Sequence, residues 1–392
     1  MFTQQAYSNR CHRAVWIGLF AVAVAIGPSA AAEEEPHVPV PARPDEPFAQ
    51  EFSLSRATHS LDDFAERWMR TRQCAACHTI PPYLMVRPLL PRGGTAENAV
   101  REFVERIVVE RREAEPMIPR DGISAVIVQV ATALSVNDRL TTGHLHPVTR
   151  QALDRMWTLQ REDGSWEWPY RDAPPIKLDE HYGVTFAAIG AGMAPDGYSQ
   201  TDAARAGLMK VRQYLKGRPA VSLHEQGMSL WASLYVEELL TAEERKTSVD
   251  RLLAAQRSDG GWSLANLVEN ISADAPVIQA VAELRRSPGY GVDFLVYAGR
   301  DGAYPALLAS DGYATGFVIF VARQAGVAAD DPRLVRGVRW LKTQQRASGR
   351  WFTHSLGPPH SLHYVSNVGS AYALMALEAC GALPGRLEKG AK

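Results

Sequence analysis

Apolar positions along this chain recur at the three- and four-residue spacing of a helix face, and alternation at period two is nearly absent. The first such stretch opens at Ser60-Leu-Asp-Asp, where Leu61, Phe64, Trp68 and Met69 share a face and Ser60 offers a capping oxygen. Further helices are expected at about 96–114, 121–136, 147–160, 182–194, 201–216, 226–240, 242–257, 272–286, 313–325, 332–346 and 364–381. Gly, Pro and Asp fill the connections, so the pattern predicts an all-α protein of antiparallel helix pairs. Ahead of residue 60 the pattern breaks. Residues 33–59 hold Pro36, Pro39, Pro41, Pro44, Pro47 and three consecutive glutamates, the composition of a disordered linker.

A repeat governs the second half of the chain. Gln160-Arg-Glu-Asp-Gly164-Ser-Trp166 returns as Gln256-Arg-Ser-Asp-Gly260-Gly-Trp262, and again as Gln345-Arg-Ala-Ser-Gly349-Arg-Trp351. In each copy Gln stands six residues before Trp and Gly two before it, at the close of a helix. The glutamine is placed to bond free carbonyls of the last turn or the start of a neighbouring helix. The glycine permits the left-handed turn that ends the helix, and the tryptophan folds back over that end. One unit cannot bury its apolar face alone, so successive units must pack side by side. The segments after the tryptophans also echo one another: His181-Tyr182 and His363-Tyr364 each lead into a run of small residues, and Asp311-Gly-Tyr313 is a degenerate counterpart.

The third copy, Arg336-Gly337-x-x-Trp340-Leu341-x-x-x-Gln345-x-x-x-Gly349-x-Trp351, resembles a full QW motif of the squalene–hopene cyclase and prenyltransferase repeat superfamily. The resemblance covers roughly residues 146–382 and implies an α/α toroid, a double-layered helical barrel around a mostly apolar cavity. Terpene cyclases of that family carry an Asp-x-Asp-Asp acid, which this chain lacks; Asp330-Asp331 precedes Pro332 and reads as a helix start. The prenyltransferase branch needs an Asp/Cys/His zinc set that Cys380 does not complete. Function must therefore come from the site.

The extreme N-terminus sets the expected compartment. Arg10 and Arg13 precede an apolar run, Ala14 to Ile26, and the small residues Ser29 to Ala32 follow, so residues 1–32 read as a signal peptide of a periplasmic or secreted protein. The run is shorter than the ~20 residues that span a bilayer, and no transmembrane segment is expected after cleavage. Loss of those two arginines takes the formal charge from −1 to −3, which with no Lys/Arg run excludes a nucleic-acid binder.

Cysteine usage changes the picture most. Cys74-Ala-Ala-Cys77-His78 has the spacing at which two thiols form thioethers to haem vinyl groups and the adjacent histidine meets the iron. The expected cofactor is haem c, with His78 as metal ligand and Met117, in Glu-Pro-Met117-Ile-Pro, as the candidate sixth ligand; Met85 and Met69 compete with it, and an open or His-ligated iron is the alternative. A local disulfide or half of a zinc site are the alternatives. Residues 60–140 then form a Cys-x-x-Cys-His-containing helical region, 141–384 the repeat toroid and 385–392 a tail. Asp179, His181 and Asp311, with His354, His360 and His363, follow the repeat tryptophans; gathered at one mouth of the barrel they could do acid/base work, or simply cap helices. The leading expectation is a haem protein holding an apolar, terpenoid-like ligand and serving a redox partner. Against it stand a non-redox binding or scaffold toroid, and an isoprenoid cyclase with an unusual acid.

Overall fold

The computed structural model describes residues 42–75, 78–91, 95–110, 122–168, 175, 180–269, 308–356 and 364–384. Among them lie thirteen α-helices and no strand, so the protein is all-helical: α1 (Leu54–Arg72), α2 (Ile80–Val86), α3 (Ala96–Glu110), α4 (Ile123–Thr141), α5 (Pro147–Thr158), α6 (Glu180–Met193), α7 (Asp202–Gly217), α8 (Leu223–Ala232), α9 (Ala242–Ala254), α10 (Leu264–Glu269), α11 (Gly312–Gln324), α12 (Pro332–Thr343) and α13 (Val365–Ala379). The expected helix at 272–286, the signal peptide and residues 33–41 of the linker lie outside the described residues, as does the tail at 385–392. All described residues fall in one compact unit, Pro36–Lys392. No described helix is long and apolar enough to cross a membrane.

The helices divide by where their apolar residues fall. In α1, α3, α5, α7 and α12 one stripe is buried and the remainder meets solvent, as amphipathic periodicity dictates. In α2, α4, α6, α8, α11 and α13 nearly every residue is buried. Such helices are enclosed on all sides. Their contacts run in sequence from α2 to α4, α4 to α6, α6 to α8, α8 to α11 and α11 to α13, and α13 packs on α2. Small residues make the closest approaches: a Cβ on Gly316 of α11 would lie 2.4 Å from the Ala373 backbone of α13.

Four departures from the sequence expectation have local causes. Helix α1 starts at Leu54, not Ser60, because the Ser53 side chain accepts the Arg56 amide at 3.2 Å and Ser60 sits mid-helix. Helix α2 lies outside the expected helices; Pro81 and Pro82 occupy its first turn, where no amide is needed. Helix α8 starts earlier than 226 because Ser222 and Glu225 form a reciprocal capping box, and it ends at Ala232. The linker ends well before residue 59: Ala49 N–H donates to the Gln345 carbonyl and Ala347 N–H to the Pro47 carbonyl, each at 2.8 Å, and Phe48 bridges to Arg346.

The three repeats share one geometry. Trp166, Trp262 and Trp351 donate their indole N–H to the carbonyls of Met156, Leu252 and Leu341 at 2.8, 2.8 and 2.7 Å, each ten residues back at the end of the preceding helix. Gly164, Gly260 and Gly349 have φ of 94°, 93° and 92°, the left-handed turn the spacing requires. Each glutamine bonds its own glycine carbonyl and reaches a neighbour: Gln160 to Gly207 of α7, Gln256 to Arg333 of α12, and Gln345 to Ser53 before α1. The third repeat is thus tied to the start of the first described helix.

Candidate functional site

Cys74 and His78 lie on the short connection between α1 and α2. Gln73 ends α1 in the left-handed conformation, φ 49°, which turns the chain out of the helix just before Cys74. Trp68 donates its indole N–H to the Cys74 carbonyl at 3.1 Å and packs edge-on to Tyr364 with ring centroids 4.8 Å apart. Ala75 is buried, whereas Cys74 and His78 are each half-buried. The loop is anchored in the core at its alanine, and Cys74 packs partly against that core.

A polar network fixes the two helices flanking this loop. Arg87, 1% exposed, places Nε 2.8 Å from Asp62, and the Tyr83 hydroxyl donates to the same carboxylate at 2.7 Å. Burial and the neighbouring carboxylate push the Tyr83 phenol well above its ordinary pKa. Cys77 and Met117 lie outside the described residues. Met85 is 2% exposed and belongs to the core, and Met69 packs against it. Among the described residues no three or more His, Cys, Asp and Glu side chains gather around a metal-sized site. A thiol and an imidazole on one short loop are nonetheless the donor types that covalent haem attachment uses.

A second constellation sits in the interior. His181 of α6 is buried, with Nε2 3.2 Å from the Ser229 hydroxyl of α8. Sequence spacing gave no hint of its neighbour: His224 of α8 is hydrogen-bonded at 2.8 Å to the Tyr313 hydroxyl of α11, across 89 residues of chain. Phe317 and Tyr182 stack beside the His224 ring, and Tyr372 packs edge-on against Tyr313. Burial, together with nearby His181, holds the His224 pKa down at about 3, so the imidazole is neutral. Burial pushes the Tyr313 phenol up. The centre is therefore a set of neutral hydrogen-bonding groups among aromatic rings.

Asp311 is the N-cap of α11. Its carboxylate accepts from the amides of Ala314 at 2.9 Å and Leu264 at 2.5 Å, and from the Thr353 hydroxyl at 3.3 Å. Burial lifts its pKa to about 7 against the pull of those donors. It thereby joins the segments that follow Trp262 and Trp351 to one helix start. Asp311 and His354 border a common pocket of about 220 Å³, whereas His181 pairs with Ser229 away from that lining. Asp179, His360 and His363 lie outside the described residues.

Comparison with family models and with curated proteins finds no match to this chain.

Proposed function

We propose that this protein is an exported α/α toroid of QW-type repeats that carries covalently attached haem c on its α1–α2 loop and holds an apolar ligand among its inner helices, in a redox role. The observation that carries the haem assignment is the loop itself: Cys74 and His78, at the ends of a Cys-x-x-Cys-His motif, are half-buried while Ala75 between them is locked in the core. Cys74 and Cys77 would hold the porphyrin through thioethers, and His78 would ligate the iron. When bound, the group supplies one-electron chemistry. The chain's own part is to fix the loop: Trp68 holds the Cys74 carbonyl, and the Arg87–Asp62–Tyr83 network holds α1 against α2.

What supports the toroid is the order of contacts among the enclosed helices, which returns from α13 to α2, and the tie from Gln345 to Ser53. What supports an apolar ligand is the aromatic interior, where the neutral His224–Tyr313 pair sits among Phe317, Tyr182 and Tyr372. Among the described residues the one buried candidate acid, Asp311, has its oxygens turned to Leu264, Ala314 and Thr353, and cyclase chemistry gains no specific support.

The test is covalent retention. Expressed in a host that attaches c-type haem, the wild-type chain is expected to keep haem through a denaturing gel. Cys74→Ala or Cys77→Ala should each weaken the haem stain, and the double variant should abolish it. A wild-type band without haem, or haem unchanged in the double variant, would contradict the proposal.

A further inference from the structure

We infer that the pocket bordered by Asp311 and His354 is a binding site for a small planar carboxylate, a single aromatic ring bearing one acidic group. This inference is independent of the haem assignment. The pocket's walls are aromatic: Phe48, Trp340, Trp351 and Phe352. Flat rings of this kind favour a flat apolar body through stacked and edge-on contacts. Its volume is about 220 Å³.

Arg346 supplies the acid-recognising group. Its guanidinium lies 4.2 Å from the Phe48 ring centroid and 5.8 Å from that of Phe352. Its Nη1 donates to the Glu46 carbonyl at 2.7 Å, its Nε is buried, and the Glu46 carboxylate lies near enough to act on its charge. The Glu46 carboxylate accepts from the Ser348 amide at 2.7 Å and lies 3.9 Å from Arg350. A cation held beside two aromatic rings is suited to a planar carboxylate.

The Asp311 oxygens are turned to Leu264, Ala314 and Thr353. His354, edge-on to Phe352 with centroids 4.7 Å apart, adds an imidazole to the same lining. The residues that close the pocket come from distant parts of the chain. Phe48 belongs to the N-terminal segment, Trp340 to α12 and Phe352 to the third repeat. The segment that the sequence marks as linker is therefore one wall of the site.

Isothermal titration of the full chain with benzoate, benzyl alcohol and benzylamine tests the inference. Benzoate is expected to bind at least about tenfold more tightly than either analogue, the margin a charge-assisted contact gives. Arg346→Gln should remove the preference for benzoate over benzyl alcohol. Arg346→Lys keeps the charge and should retain part of it, which guards against reading a loss of folding as a loss of recognition. Phe352→Ala should weaken benzoate without reversing the order. No benzoate heat at millimolar concentration, equal affinity for the alcohol, tighter binding of the amine, or an undiminished preference in a folded Arg346→Gln variant would each overturn the assignment.

Discussion

The residues that decide most are those whose neighbours leave no alternative partner. Trp351 is wholly enclosed, and its indole N–H is committed to the Leu341 carbonyl. Trp351→Ala is expected to cost about 3–5 kcal/mol in a urea unfolding titration. Two buried titratable groups give opposite pH signatures. The folded-state pKa of His224, about 3, is below its ordinary 6.5, so the unfolded chain binds the extra proton first. Stability should fall as pH drops from about 6.5 toward 3. His224→Gln should flatten that loss. For Asp311 the folded value, about 7, exceeds the ordinary 3.8, so the folded chain keeps its proton longer and stability should fall as pH rises between those values. Asp311→Asn, which keeps the capping oxygen, should remove that decline; unfolding midpoints measured across the two windows check both signs. Of these residues the sequence singles out Trp351 as a repeat tryptophan and Asp311 among the residues near the repeat turns. It is silent on His224, because a histidine in an ordinary helical run acquires its meaning only from a tyrosine on another helix.

At the scale of the element, the repeats were the most legible feature, since Gln, Gly and Trp act within a dozen residues of one another. The left-handed glycine, the indole bond to the preceding helix and the glutamine tie all follow from that local spacing. The reach of each glutamine was not legible, because Gly207, Arg333 and Ser53 are fixed by packing rather than by the motif. Gly349→Ala combines a φ of 92° with a Cβ placed 2.4 Å from the Arg56 backbone. Strain at such a φ alone costs roughly 1–3 kcal/mol, and the thermal midpoint should fall further than for an alanine at Gly326, where φ is also positive but nothing crowds the Cβ. Helix α2 illustrates the converse failure. Two prolines hide a helix start when position within the helix is unknown. Its tie to α1 runs through buried Arg87, and Arg87→Ala should destabilise by about 3–5 kcal/mol by leaving Asp62 without its guanidinium.

For the whole molecule, the all-helical class was readable from periodicity alone. How the N-terminal helices join the repeats was not. Residues 44–53 look like linker by composition, yet they dock on the third repeat turn, and α2 packs between α4 and α13. The Cys74–His78 loop therefore hangs from helices that are continuous with the repeat body. Replacing Gln345 by Ala should weaken this closure by roughly 1–3 kcal/mol, since the Ser53 amide loses its 2.7 Å acceptor. The central claim is that this loop carries iron porphyrin. Its most direct test is the visible absorption spectrum, oxidised and reduced, of wild-type protein purified from a host that matures c-type haem. A haem spectrum that changes on reduction and stays with the chain in denaturant is the expected result. A colourless protein, or colour that separates from the chain on unfolding, would contradict the account.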